Sequence, residues 1–563
     1  MLDLQKPDTT RLMAHIGEFA KRIKLSGTPE ELESFLYLQA QMQAYGFRTE
    51  LLSHDAYISL PGRARVEVDG VSIRCITHSM SASSPAGGIT AELIHLGEGT
   101  AADFAAHDVA GKIVLIDGIA VENVAALASA AGALGELHIS PTEHLYEMCV
   151  SPVWGSPSQH TRANLPTTVL CTISQADGDQ LRKRLAAGET VRATLDAEVD
   201  TGWRKTPLLV CELDPAGAAV DAPFVMFSGH HDTWHYGVMD NGGANATMLE
   251  AARLLAERRA EWKRGLRVCF WSGHSHGRYS GSTWYADEYF DDLDRRCVAH
   301  VNVDSTGAEG AVVLTNAGVT DELNGVAAEA IAAVTGQIHA GKRHGRAADQ
   351  SFWGVGIPSM FGSLSHQPPP PVKMLTALGW WWHTPHDTIE HIDPENLVRD
   401  TDIVLRVLSK LLTAPVLPYD YGAYALSLSM ELSRLGKSLG DRLDISVLAN
   451  AAKNLLDQST TVSRQSTKVS NETAEDVNAA LLRASRWLVP LNYTSGERFN
   501  HDPALPNVPW PSLAGIWELA RLPAVSDDTL FHVVHARQTR NRVAHSLREA
   551  NAVLAALLDS LSH

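Results

Sequence analysis

Cysteine is scarce in this chain: there are six among 563 residues, and no two of them (Cys75, Cys149, Cys171, Cys211, Cys269, Cys297) stand in a Cys-x-x-Cys pair. That scatter excludes a disulfide framework and a cysteine-built metal site, leaving buried free thiols as the reading. Long apolar runs are missing too, since nothing approaches the roughly 20 apolar residues of a membrane span. The opening stretch, MLDLQKPDTTRLMAHIGEFAKRIK, breaks its apolar residues with charge and lacks a small-residue cleavage site. The expectation is a soluble, cytoplasmic protein with no membrane partner. Positive charge is also short, 47 Lys and Arg against 65 Asp and Glu for a net charge of -18, which argues against nucleic acid as a partner.

What is present is ample core material, 45% hydrophobic residues, in a chain long enough for roughly three or four domains. The chain is organised around 224–282. There, the apolar run FVMFSG ends in His230 and Asp232, an Asp-Asn-Gly-Gly turn at Asp240 opens a helix-patterned segment, and a second apolar run ends in His274 and His276. Residues two apart on an extended chain face one side, so His230 and Asp232 share a face while His231 points away. Ligands of open α/β sheets bind beyond the carboxyl ends of the strands. The segment is therefore a candidate metal site.

Around this stretch the pattern alternates strand and helix. CVAHVNVDSTG places Val301 and Val303 at period two before Asp304, ELNGVAAEAIAAV follows at helical spacing, and the polar HGRAADQSFWGVGIPSMFGS carries Asp349. Such alternation implies an α/β fold with a mostly parallel, mixed sheet covered by helices. Upstream, Leu32, Phe35, Leu36, Leu38 and Met42 form a helical stripe, and FRTELLSHDAYISL and RARVEVDGVSIRCI read as strands. Short strands and small-residue turns from about Ile89 indicate a compact β-rich insert. Beyond about Pro415 the strands give way to helices, with Val543, Leu547, Leu554, Leu558 and Leu561 at helical spacing. The expected organisation is a discontinuous catalytic domain (1–88 plus 205–415), an insert (89–204) and a helical domain (416–563) through which the chain dimerises.

HHDTW, DNGGANA, WSGHSHGRYSGS, VDSTGAEG and HTPHDT resemble the successive metal-site motifs of the M28 family of zinc peptidases. The order of insert, metal domain and helical tail is most similar to the glutamate carboxypeptidase II and transferrin receptor branch, and the insert resembles a protease-associated domain. The resemblance implies a zinc aminopeptidase-like fold in which His230, Asp240 and Asp304 hold metal. Asp240 would bridge to a second ion that His383 also binds, and Asp232 would orient His230. It departs at one place. Where the family has two adjacent glutamates, a base and a ligand, this chain reads His274-Ser275-His276. Neutral serine is a poor ligand, whereas imidazole both binds transition metals and accepts protons near neutrality. His274 thus stands as the catalytic base or a ligand, and His276 as a further ligand.

The implied activity is metal-dependent hydrolysis of an amide-type bond in a peptide, N-acyl amino acid or related small molecule. Zinc is expected as two ions, or one if the second position is lost, with manganese or iron as the other ions suited to such donors. A mononuclear metalloenzyme of different chemistry and a non-catalytic receptor relative are the alternatives. Arg278, Arg346, Trp382 and Arg498 are the candidate substrate contacts.

Overall fold

The structure, a computed structural model, describes residues 5–218, 221–370, 377–467, 469–523 and 526–562. Its strands are β1 (Arg48–Val68), β2 (Val71–Ile73), β3 (Cys75–Thr77), β4 (Ile89–His95), β5 (Ile113–Asp117), β6 (Gly135–Ile139), β7 (Val169–Ile173), β8 (Arg192–Leu213), β9 (Phe224–His230), β10 (Gly265–Trp271), β11 (Cys297–Asp304) and β12 (Ser359–Ser363). They join in one hydrogen-bonded path, β12-β11-β9-β10-β8-β4-β5-β6-β7-β3, with β1 alongside β8 and β2 alongside β1.

At one end, β12, β11, β9 and β10 run parallel to one another. Every residue of β9, β10 and β11 is buried, as strands must be when helices cover both faces. The helices Thr9–Phe19, Pro29–Ala44, Ala244–Ala256 and Pro394–Thr413 contribute to one large core, while Trp271, Tyr285, Leu293 and Phe352 belong to another. Within Pro29–Ala44, Phe35, Leu38 and Met42 are buried but Leu32 and Leu36 are exposed. Glu31 and Ser34 take the inner positions instead, because each has a polar partner there: Gly27 N–H for the carboxylate and His231 for the hydroxyl.

The two strands expected over residues 47–76 are largely one, β1, with a bulge between Pro61 and Ala64. It pairs antiparallel with β8 along almost its whole length. Residue 204, the expected end of the insert, therefore lies inside β8. The insert is also less purely β than its turns suggest. β4 to β7 are parallel neighbours, with helices Ala101–Ala106, Glu122–Ala130 and Gln175–Ala186 between and after them. The last of these reads poorly as helix because of Gly178, which is required by packing: a Cβ there would lie 2.3 Å from the Ile139 side chain.

The carboxy-terminal region is helical: Tyr421–Leu439, Ser446–Ser466, Asn471–Tyr493, Ala514–Arg521 and Asp527–Leu561. Val543, Leu547 and Leu554 are buried within the chain's own core, with Leu558 and Leu561 packed at its margin. Among the described residues no helix is long and apolar enough to cross a membrane.

Candidate metal centre

The parallel register sets His230 opposite Trp271 and Ser228 opposite Asn302, so the ends of β9, β10 and β11 open at one edge. His231, on the opposite face from His230, is buried with its ring nitrogens on Ser34 and Asn245 and its ring against Phe19 and Phe35. Two asparagines tie the strand ends together. Asn241 donates to the carbonyls of His230 and Val303 and accepts from Ser305 N–H, and Asn245 donates to the His230 carbonyl. The turn that carries Asp240 closes on Gly243, where a Cβ would sit 2.1 Å from the Thr306 carbonyl oxygen.

Asp240 lies between two imidazoles. Its Oδ1 is 3.2 Å from His230 Nε2 and its Oδ2 is 3.1 Å from His383 Nε2, while Asp304 Oδ1 is 3.6 Å from His230 Nε2. Both rings have their tautomer set by a backbone carbonyl. His230 Nδ1 donates to Asp232 O at 2.9 Å and His383 Nδ1 to Glu147 O at 2.6 Å, which leaves each Nε2 as the lone-pair side. Buried polar atoms nearly always have partners, yet His230 Nε2 and Asp240 Oδ1 have no hydrogen-bond partner. An imidazole nitrogen and a carboxylate oxygen facing each other at 3.2 Å, with a second carboxylate beside them, fit a cation. Burial alone would lower the His230 imidazole, but Asp240 and Asp304 carry it well above its ordinary value. Burial works the other way on Asp240, and His230 and His383 hold it well below the carboxylate range.

The remaining predicted residues divide. Asp232 stands beside His230, but its own carbonyl, not its carboxylate, takes the ring proton. The carboxylate accepts from Ser26 Oγ, His274 N and Ser275 N at 2.7, 3.2 and 2.9 Å, so it fixes the turn after β10. His274 stacks on His230, and donor atoms of His230, His274 and Asp304 lie within 4.8 Å of one another. His276 does not join that group among the described residues. Its Nδ1 meets Ser26 Oγ at 3.0 Å, its ring rests on Trp234, and burial lowers it to about 4.

The three arginines are committed elsewhere. Arg278 pairs with Glu122 at 2.9 Å; Arg346 bonds the carbonyls of Asp502 and Pro503; Arg498 bonds Asp294 and the carbonyls of Gly354 and Val355. These contacts commit all three guanidiniums to partners other than Asp240 and Asp304. Trp382 stacks on His383 with ring centres 3.5 Å apart.

Sequence reasoning passed over Asp387, whose buried carboxylate accepts from Met239 N and Asp240 N at 2.8 and 3.0 Å. Burial raises it to about 7. Its place in HTPHDT, four residues after His383, was the available signal. The Glu147 carbonyl, supplied by the insert, carried no signal at all.

Residues 209–408 match the model of Peptidase family M28. Probable glutamate carboxypeptidase VP8 of Zea mays is 25% identical over 277 residues, covering 46% of this chain and 38% of that protein. The chain thus spans well under half the length of this relative. Aminopeptidase YwaD of Bacillus subtilis (strain 168) is 25% identical over 398 residues, covering 68% of this chain and 79% of that protein. Among solved structures, BSAP, a zinc aminopeptidase from Bacillus subtilis, superposes with a TM-score of 0.56 at 22% identity, covering 73% of this chain and 97% of that one. That last likeness is one of fold: a large mixed sheet flanked by helices.

Proposed function

We propose that this chain, whose residues 209–408 form a Peptidase family M28 domain, is a metal-dependent hydrolase of amide-type bonds in a peptide, an N-acyl amino acid or a related small molecule. The reading rests on Asp240, held between His230 Nε2 and His383 Nε2 with buried acceptor atoms that no protein donor satisfies. His230, Asp240 and Asp304 would hold one ion, and Asp240 with His383 a second. Zinc is supported by this mixture of imidazole and carboxylate donors and by the likeness in fold to the zinc aminopeptidase of Bacillus subtilis.

A bound zinc supplies Lewis-acid activation of water and of the substrate carbonyl. The chain's own part is positional. Asp387 fixes the Asp240 backbone, the Glu147 carbonyl fixes the His383 tautomer, and Asp232 fixes the turn that presents His274. The second position has fewer donors than the first, because Ser275 and His276 stand where the resemblance places a glutamate and its neighbour. It should therefore bind more weakly. The exposed Leu530, Phe531 and Val534 at the start of Asp527–Leu561 are where a second copy would dock in a homodimer.

Metal content of the purified protein, with turnover of dipeptides, N-acyl amino acids and carbamates before and after chelation, tests the reading. Bound zinc with chelator-sensitive hydrolysis is expected. A protein that takes up no metal, or whose turnover ignores chelator, is not this enzyme; the metal-free result would favour the binding relative.

A further inference from the structure

His274 is the residue whose role the sequence leaves open between ligand and base, and its surroundings decide it. Its ring centre lies 3.7 Å from that of His230 with the planes inclined by 12°. An imidazole lone pair lies in the ring plane, so a metal ligand points its ring at the ion. Two near-parallel rings stacked face to face do not aim both lone pairs at one point. With His230 directed at Asp240 and Asp304, the His274 ring lies against the face of the His230 ring, outside its plane.

Its other nitrogen is fixed. His274 Nδ1 is 2.7 Å from Asp349 Oδ2. An ionised carboxylate only accepts, so Nδ1 carries the proton and Nε2 is left free to take one. Asp349 is itself held from the far side by an ordered line of donors. Trp154 Nε1 donates to Ser351 Oγ at 2.9 Å, Ser351 and Ser282 hydroxyls are 2.9 Å apart, and Ser282 Oγ donates to Asp349 Oδ1 at 2.8 Å. Since Ser282 spends its proton on the carboxylate, Ser351 donates to Ser282, and every hydroxyl in the line points toward Asp349. Burial would raise that carboxyl, but His274 and Ser282 keep it below the ordinary range. Ala348 and Asp349 are both left-handed, with φ of 50° and 51°. Non-glycine residues adopt that conformation only where their surroundings over-determine it, and here Asn302 Nδ2 pins the Ala348 carbonyl at 3.0 Å.

We infer that His274 and Asp349 form a two-residue general base, His274 as the proton acceptor and Asp349 as the residue that positions it, in the place of the family's glutamate. This rests on the hydrolase reading above. His274 Nε2 takes a proton from the attacking water as its oxygen bonds to the carbonyl carbon. The same proton passes to the amide nitrogen as the C–N bond breaks, so the pair ends as it began.

The test compares wild type with His274→Ala, Asp349→Asn, Asp349→Ala and Asp349→Glu. It reads zinc per chain after dialysis, the far-downfield imidazole N–H proton resonance, and kcat and KM on the best substrate of the dipeptide and N-acyl panel. His274→Ala should keep the wild-type zinc count, lose about 100-fold or more in kcat with KM little changed, and regain turnover with added imidazole. Asp349→Asn and Asp349→Ala should also keep zinc and lose kcat, Asp349→Glu should recover part of it, and the downfield resonance should vanish in His274→Ala and Asp349→Ala. An unchanged circular dichroism spectrum and a cooperative thermal unfolding transition show each variant is folded; should one fail that check, the wild-type resonance and the remaining variants decide. Loss of an ion from folded His274→Ala makes His274 a ligand and overturns the inference, as does wild-type kcat in Asp349→Ala. A wild type that binds no zinc overturns the hydrolase reading instead.

Discussion

The imidazole of His274 lies almost parallel to that of His230, 3.7 Å away, although forty-four positions separate them in the chain. One ring is directed at carboxylates and the other is turned to a carboxylate of its own, Asp349. Two histidines in contact thus have different electrostatic settings, and their replacements should fail differently.

Replacing His383 with alanine removes the nitrogen that faces Asp240 Oδ2 at 3.1 Å and leaves His230 and Asp304 intact. The expected outcome is loss of the weaker ion and retention of the stronger one, seen as a fall of about one zinc per chain by elemental analysis.

Asp387→Ala acts through the backbone. It strips the partner from Met239 N–H and Asp240 N–H in a buried setting where each unmet donor costs about 1–3 kcal/mol. Denaturant unfolding should show a loss of about 2 kcal/mol or more, and zinc competition a 10- to 100-fold weaker site.

Glu322 offers a pH test away from the metal. Burial holds its carboxyl up at about 8 against an ordinary 4.5, and neither oxygen has a partner. The unfolded chain releases this proton near pH 4.5 but the folded chain only near 8, so rising pH between those values costs the folded state stability, on the order of a few kcal/mol in total. Glu322→Gln should remove that slope. Tm measured from pH 5 to 8.5 should fall less steeply in the variant than in wild type.

Leu547 is fully buried in the longest helix, Asp527–Leu561. Leu547→Ala should cost about 2–5 kcal/mol by chemical denaturation while leaving the zinc count unchanged, since its neighbours belong to the helical tail.

The alternating sheet region was legible because its strands are short, mostly apolar and end in polar residues, so the two-residue spacing of His230 and Asp232 and the acids at Asp240 and Asp304 stood out. Asp349 did not. It sits in an irregular segment and meets His274 only through the fold, so no periodicity marks it. Leu32 and Leu36 misled because an apolar residue at helical spacing carries no label for which face is inward; the buried Glu31 and Ser34 show that a polar partner across the interface can outrank them. In the insert the segment VENVAALASAAGAL reads as helix and is one, Glu122–Ala130, whereas Ala101–Ala106 and Gln175–Ala186 were lost among short strands because they are short or rich in polar residues.

The paired strands β1 and β8, 21 and 22 residues long, make a rib of about 70 Å at the usual rise per residue. The insert's carboxy end lies inside that rib and its first strand, β4, pairs with β8, and the insert lends the Glu147 carbonyl to His383. Bending the two halves apart would mean tearing backbone ladder bonds. A protease should therefore find no easy nick between the halves.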